Sequence, residues 1–231
     1  MSGKESEAPS QNLAELRHAP LDPKRTGVLV IDMQNMECQP ERLGEAERIK
    51  KQPFFERLRE VVIPNQVRLL DAARANGIEV LFTTIESMTL DGRDRSLDYK
   101  ISELHAAKGS HEAQVIDELK RGENEIQIPK TSSSVFNSTN INYVLRNIGV
   151  DHLVVCGIVT EQCVESAVRD AADLGYLVTM VEDGCATYDQ AIHDDCIRRM
   201  DGHYGRVLPT SAVIAELRGD GERGAIGAHR T

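Results

Sequence analysis

Three side chains of this 231-residue chain have the chemistry that covalent hydrolysis needs: a thiol at Cys163, a carboxylate at Asp32 and an ammonium at Lys130. In GIVTEQCVESAVRDA (157–171) a small-residue turn delivers Cys163 to what reads as the first turn of a helix. Unpaired amides and partial positive charge at such a terminus favour the thiolate, the form that attacks. A carboxylate within reach can take the thiol proton and return it to a leaving amine, while an ammonium holds that carboxylate ionised. Backbone amides of GIVTEQC can face a carbonyl oxygen as it becomes an oxyanion. Taken singly, each residue has a plainer reading: Cys163 as a small buried apolar residue, Asp32 as a cap, Lys130 as a solvated surface lysine.

Their placement along the chain sets the chemical reading above the plain one. GVLVIDM (27–33) is a short apolar run that stops at Asp32, as a strand buried on both faces would. IEVLFTT (78–84) predicts a second strand, EIQIP (125–129) a third ending at Lys130, HLVVCGI (152–158) a fourth and YLVTMVED a fifth. Between them lie helical stripes. PNQVRLLDAARANG sets Val67, Leu70 and Ala73, with Leu69, on one face and stops at Gly77. STNINYVLRNIG has Ser138 or Thr139 as cap, and Ile141, Val144, Leu145 and Ile148 at helical spacing. The Cys163 helix carries Val164, Ala167, Val168 and Ala171. HEAQVIDELK predicts a short helix, AIHDDCIRRMDG another, and GRVLPTSAVIAEL a last strand and helix. Alternating strands and helices predict an α/β fold with a parallel sheet covered on both sides, and such sheets form sites at the carboxyl ends of strands.

The totals narrow the function classes. Hydrophobic residues make up 40% and charged residues 28%, ordinary globular usage. The net charge of −10, with no basic block, argues against nucleic acid as a partner. No apolar run approaches a membrane span and the start MSGKESEAPSQN lacks a secretory core, so a cytoplasmic protein without membrane partners is expected. Cys38, Cys156, Cys163, Cys185 and Cys196 lack CxxC spacing and read as free thiols. The expected organisation is a polar leader over 1–24, one domain over 25–217 and a mobile Gly-rich tail over 218–231. The polar stretch from Ile85 to Ser110 is long for a connector, and long loops in compact domains are often functional.

VLVIDMQN around Asp32, IPKTSSSVFNST around Lys130 and CGIVTEQCVESAVRDAADLGY around Cys163 resemble the three motif blocks of the isochorismatase-like cysteine hydrolases, in the same order. The resemblance covers about residues 25 to 215. It implies a Rossmann-like three-layer αβα sandwich with a central parallel sheet, and a triad of Asp32, Lys130 and Cys163. It also implies a cis peptide joining Val159 to Thr160, an oxyanion hole from the amides of Thr160 and Cys163, and a homodimer or homotetramer. The nearest likeness is to ureidoacrylate and N-carbamoyl amidohydrolases, which implies a small amide or ureide substrate of the ureido or N-carbamoyl acid type. Cleavage would pass through a thioester, with release of ammonia or an amine and no cofactor.

Within that family, nicotinamidases carry a metal-binding Asp and paired His soon after the second strand. Here the loop begins TTIESMTLDGRDRS, and His105 and His111 lie far on and six apart, so no metal is expected. Isochorismatases proper cleave a vinyl ether and lack the cysteine, so Cys163 argues against that reaction and for amide chemistry; it and a nicotinamidase-like amidase stand as the alternatives. A non-catalytic scaffold would need a broken triad, and a redox thiol protein would need a resolving partner for Cys163. Candidate substrate contacts are Gln34 for substrate or water, Phe136 and Val159 as pocket wall, and Arg93 and Arg95 as clamps for a carboxylate. The plainer reading of the two arginines is a solvated charge cluster with Asp91, Asp94 and Asp98.

Overall fold

The computed structural model describes residues 13–219, and the tail expected to be mobile lies, from residue 220 onward, outside the described residues. Six parallel strands form one sheet in the order β3-β2-β1-β4-β5-β6. They are β1 (Thr26–Ile31), β2 (Glu79–Ile85), β3 (Ile126–Lys130), β4 (His152–Ile158), β5 (Leu177–Ala186) and β6 (Arg206–Leu208). β1 and β4 are buried along their whole length, which is why they read as unbroken apolar runs rather than as alternation. Each such Val, Leu or Ile contributes about 1.5–3 kcal/mol when fully buried.

Helices flank the sheet. Ile63–Ala75 packs against Thr210–Leu217, and Glu165–Asp173 against Gln190–Met200, with β5 touched by both pairs. Pro64 follows a π-type turn, Leu58–Val62, that runs straight into Ile63–Ala75, and Gly77 follows that helix with φ 66. Asn140 is the N-cap residue of Ile141–Asn147, and Thr139 Oγ1 accepts from the Ile141 N–H at 3.1 Å.

One stretch differs from expectation. HEAQVIDELK is not a helix: His111–Ala113 and Asp117–Leu119 are single 3₁₀ turns with an extended step between them. Val115 bridges Gln34 in that step, and Ala113, Val115, Ile116 and Leu119 are all buried; the antiparallel bridge to Gln34 takes the place of a helical turn. The polar connection after β1 is largely helical, through Asn35–Cys38, Glu45–Lys50 and Gln52–Arg57.

The strand order reverses between β1 and β4. The chain builds outward through β2 and β3, then returns to the other side of β1 to lay down β4, β5 and β6. A crevice opens beyond the carboxyl ends of strands at such a switch point, the preferred place for small ligands. Asp32 follows β1 and Cys163 follows β4, so the two stand on either side of it.

Candidate active site

Each of the three reactive residues is aimed by a local backbone feature. Asp32 takes φ 53, the left-handed region that aspartate tolerates better than most residues, and its N–H donates to the Thr83 carbonyl at 3.1 Å. Lys130 ends β3, two strands from β1 and so about 10 Å away at the usual spacing, a gap that its long unbranched side chain crosses. Cys163 lies in a widened π-type turn, Thr160–Val164, which leads into the helix Glu165–Asp173. Turns of this kind are frequent at functional sites because they push one residue out of helical register. Gly157, paired with Ile31, adopts φ 128, and a Cβ there would come within 2.1 Å of the Ile31 carbonyl oxygen. Only glycine lets β1 and β4 approach this closely at the point where both turn into the site.

These elements bring the three side chains together. Lys130 Nζ stands 2.8 Å from Asp32 Oδ2 and donates to Cys163 Sγ at 3.4 Å. It also donates to the Tyr99 hydroxyl at 2.9 Å and to the Ser132 carbonyl at 3.0 Å. Asp32 Oδ1 accepts from the Thr83 hydroxyl at 2.8 Å. Oδ2 is buried, and its contact with the ammonium is ionic without hydrogen-bond direction, so a lone pair is left to accept a proton. Asp32 and Lys130 are each 1% exposed, and a buried ion pair of this kind is tolerated only when well paired.

The electrostatics correct one expectation. Burial pushes the Cys163 thiol up to about 12, against the pull of the Lys130 ammonium, so the resting sulfur is a thiol rather than a thiolate. For such a thiol to attack a carbonyl, a neighbouring base would have to take its proton. Burial also works against the Lys130 charge, but the Asp32 carboxylate beside it outweighs that and holds the ammonium well above its ordinary value.

Tyr99 escaped the sequence reading. It sits in a short helix, Leu97–Ile101, inside the long polar loop, where Ser96 caps the chain by accepting from the Tyr99 N–H. Its hydroxyl lies 3.6 Å from Cys163 Sγ. Since Lys130 donates to that oxygen, the hydroxyl hydrogen is free to point at the sulfur. The only signal in the sequence was the length of the loop.

Behind the turn, His193 Nδ1 lies 2.9 Å from Thr160 Oγ1, and Arg57 Nη2 lies 3.3 Å from His193 Nε2. A guanidinium can only donate, so Nε2 accepts and Nδ1 carries the hydrogen given to Thr160. Burial, then the Arg57 charge, lower His193 to about 4, which fits a neutral ring. Glu165 anchors the next helix through Arg169 at 2.7 Å and Arg199 at 3.2 Å. Within the turn the amides of Gln162 and Val164 are spent on the Val159 carbonyl. Thr160 and Cys163, the pair named for an oxyanion hole, lie on the same turn. The cis peptide joins Ile158 to Val159, one residue before the bond that the resemblance implied, where the chain leaves β4.

A small cavity of about 60 Å³ opens onto Cys163 and Asp32, lined also by Val159, Gln162, Ile158, Ile85, Leu104, Glu37 and Tyr188. Of the candidate substrate contacts, Val159 lies there. Gln34 does not serve: it is fully buried, its Nε2 donates to the carbonyls of Ile85 and Glu112 at 3.0 Å, and its Oε1 accepts from the Ile85 N–H at 2.6 Å. Phe136 packs on Tyr176, centroids 5.9 Å apart, instead of walling the cavity. Arg93 is exposed and paired with Asp91 at 3.1 Å. Arg95 donates to the Gly92 and Leu104 carbonyls at 3.0 and 2.9 Å, which holds the loop in shape. Neither guanidinium lines the cavity, because each is closer to loop acceptors that need it.

Known proteins share this arrangement of chain. The isochorismatase domain matches residues 26–212. A ureidoacrylate amidohydrolase from Rhizobium rhizogenes is 35% identical over 179 residues, which cover 71% of this chain and 71% of that protein. An N-carbamoylsarcosine amidase from an Arthrobacter species is 28% identical over 198 residues, covering 84% of this chain and 71% of its own. The crystal structure of a cysteine hydrolase from Pseudomonas syringae superposes with a TM-score of 0.75 at 24% identity, over 87% of this chain and 96% of that one, and speaks to the fold. With a parallel six-stranded sheet of this order and a domain match across most of its length, the chain is a hydrolase of the isochorismatase family.

Proposed function

We propose that this hydrolase is a cysteine-dependent amidohydrolase that cleaves a C–N bond of a small linear amide or ureide. The supporting observation is the contact of Cys163 Sγ with Lys130 Nζ at 3.4 Å, in a buried group where Lys130 also meets Asp32 at 2.8 Å. Cys163 Sγ attacks the carbonyl carbon while its proton passes to Asp32, and the carbonyl oxygen gathers negative charge facing the amides of Thr160 and Cys163. Asp32 returns the proton to the leaving nitrogen, ammonia or an amine departs, and a thioester remains. Water then adds to the thioester with Asp32 as base, the acid leaves, and the thiol is restored. Lys130 stays charged throughout and offsets the negative charge that moves between Asp32 and the sulfur. The sequence reading narrowed the substrate to ureido or N-carbamoyl acids, with Arg93 and Arg95 as clamps. Neither guanidinium lines the cavity to hold a substrate carboxylate.

The test is an ammonia-release screen over ureides, carbamoyl compounds and simple amides, with acid-quenched mass spectrometry of the enzyme during turnover. Wild-type protein should gain the mass of one acyl group, and Cys163→Ala should lose both the adduct and turnover while keeping its fold by circular dichroism. Turnover retained in Cys163→Ala would sink the reading.

A further inference from the structure

The cavity is charged in an unexpected sense. Asp32 has its own ammonium in Lys130, and the second charged group on the wall is another carboxylate, Glu37. Glu37 sits in the helical turn Asn35–Cys38, directly after the segment that carries Asp32, and is partly exposed at the cavity mouth. Tyr188 donates its hydroxyl to Glu37 Oε2 at 2.8 Å, and both residues line the cavity. Among the described residues Tyr188 is the one hydrogen-bond partner of that carboxylate, so Oε1 is open to a donor from a ligand. The Tyr188 ring is fixed by Phe54, centroids 4.6 Å apart, and by Lys51, whose Nζ lies 4.4 Å from the ring centroid and does not line the cavity. The remaining wall is apolar apart from Gln162 and the reacting groups.

We propose that Glu37, held by Tyr188, selects the end of the substrate remote from the scissile bond, and that it favours a hydrogen-bond-donating or cationic group over a carboxylate. This rests on the amidohydrolase reading and deepens it. A carboxylate at that end would bring a second anion beside Glu37 in a small cavity with no guanidinium on its wall, and like charges juxtaposed at a binding site disfavour that ligand. An ammonium or amide N–H there would be paired by Oε1. Ureidoacrylate and N-carbamoylsarcosine are both anions, so the preference also separates this chain from the relatives named for them.

Three ureas of matched length test it: (2-aminoethyl)urea, propylurea and 3-ureidopropanoate. Each is assayed for kcat/KM with the wild-type enzyme and for binding to Cys163→Ala by calorimetry, at low ionic strength and neutral pH. The expected order is cation, neutral, anion, with the cation ahead of the anion by about tenfold or more, mainly through KM. Glu37→Gln should bring the three to within about threefold of one another. Turnover that depends on Cys163 but prefers 3-ureidopropanoate overturns the selectivity and leaves the reaction class standing. Binding in the expected order without turnover does the reverse. A preference that survives Glu37→Gln, or no binding of any of the three, overturns the selectivity as well.

Discussion

Lys130 holds a position that neither an exposed lysine nor a simple surface ion pair could hold. It is 1% exposed, and its ammonium meets a carboxylate, a phenol, a carbonyl and a thiol. Removing one partner of such a pair leaves the other charge buried and uncompensated, which costs about 3–5 kcal/mol. Lys130→Met should therefore lower stability in urea by roughly that amount and abolish turnover. Adding Asp32→Asn to it should recover most of the stability and none of the activity. If Lys130→Met alone leaves the urea midpoint unchanged, the pair is not the buried charge couple described here. That Asp32, Lys130 and Cys163 would meet was legible from their places at strand ends together with the family resemblance of the three motif blocks. Tyr99 was not, since the loop that carries it has no period from which a direction can be read; of the two loop arginines, Arg93 follows the charge-cluster reading with Asp91, while Arg95 is taken by the Gly92 and Leu104 carbonyls, which charge pattern alone does not reveal.

Strands and turns supply the precision. Gly157 lets β4 lie against Ile31 at the point where Asp32 leaves β1, and φ 128 is open to glycine but hardly to other residues. Gly157→Ala would set a methyl group within 2.1 Å of a backbone oxygen, so one strand must shift. The expected outcome is a loss of more than about 2 kcal/mol together with most of the activity, checked by urea unfolding and by the ammonia assay. An alanine variant of wild-type stability would refute the close approach. The strand ends were legible to within a few residues, since apolar runs and the stops after them mark where a buried strand must finish. The widened turn Thr160–Val164 was not: its residues are compatible with an ordinary helix start, and it takes the packing of His193 and Arg57 behind Thr160 to hold it.

The fold as a whole buries two neutral histidines, and this sets its response to acid. Burial, then Arg206, lowers His152 from 6.5 to about 4, and burial, then Arg57, does the same to His193. Between those values the unfolded chain binds protons that the folded chain refuses, so stability rises with pH in that window and falls as pH drops through it. The urea midpoint should hold steady above about pH 7.5 and decline steadily from pH 6.5 toward 4.5, with a shallower decline in His152→Gln. A midpoint that stays flat over that range would contradict the burial of both rings. The sheet order carries a further consequence, for the order of synthesis. Asp32, Tyr99 and Lys130 all belong to β1 through β3 and the loop among them, whereas Cys163 arrives only after the chain has doubled back to lay β4 beside β1. A chain emerging from the ribosome thus carries Asp32, Tyr99 and Lys130 before it has Cys163, so under the proposed function the proton acceptor and the ammonium are made before the nucleophile.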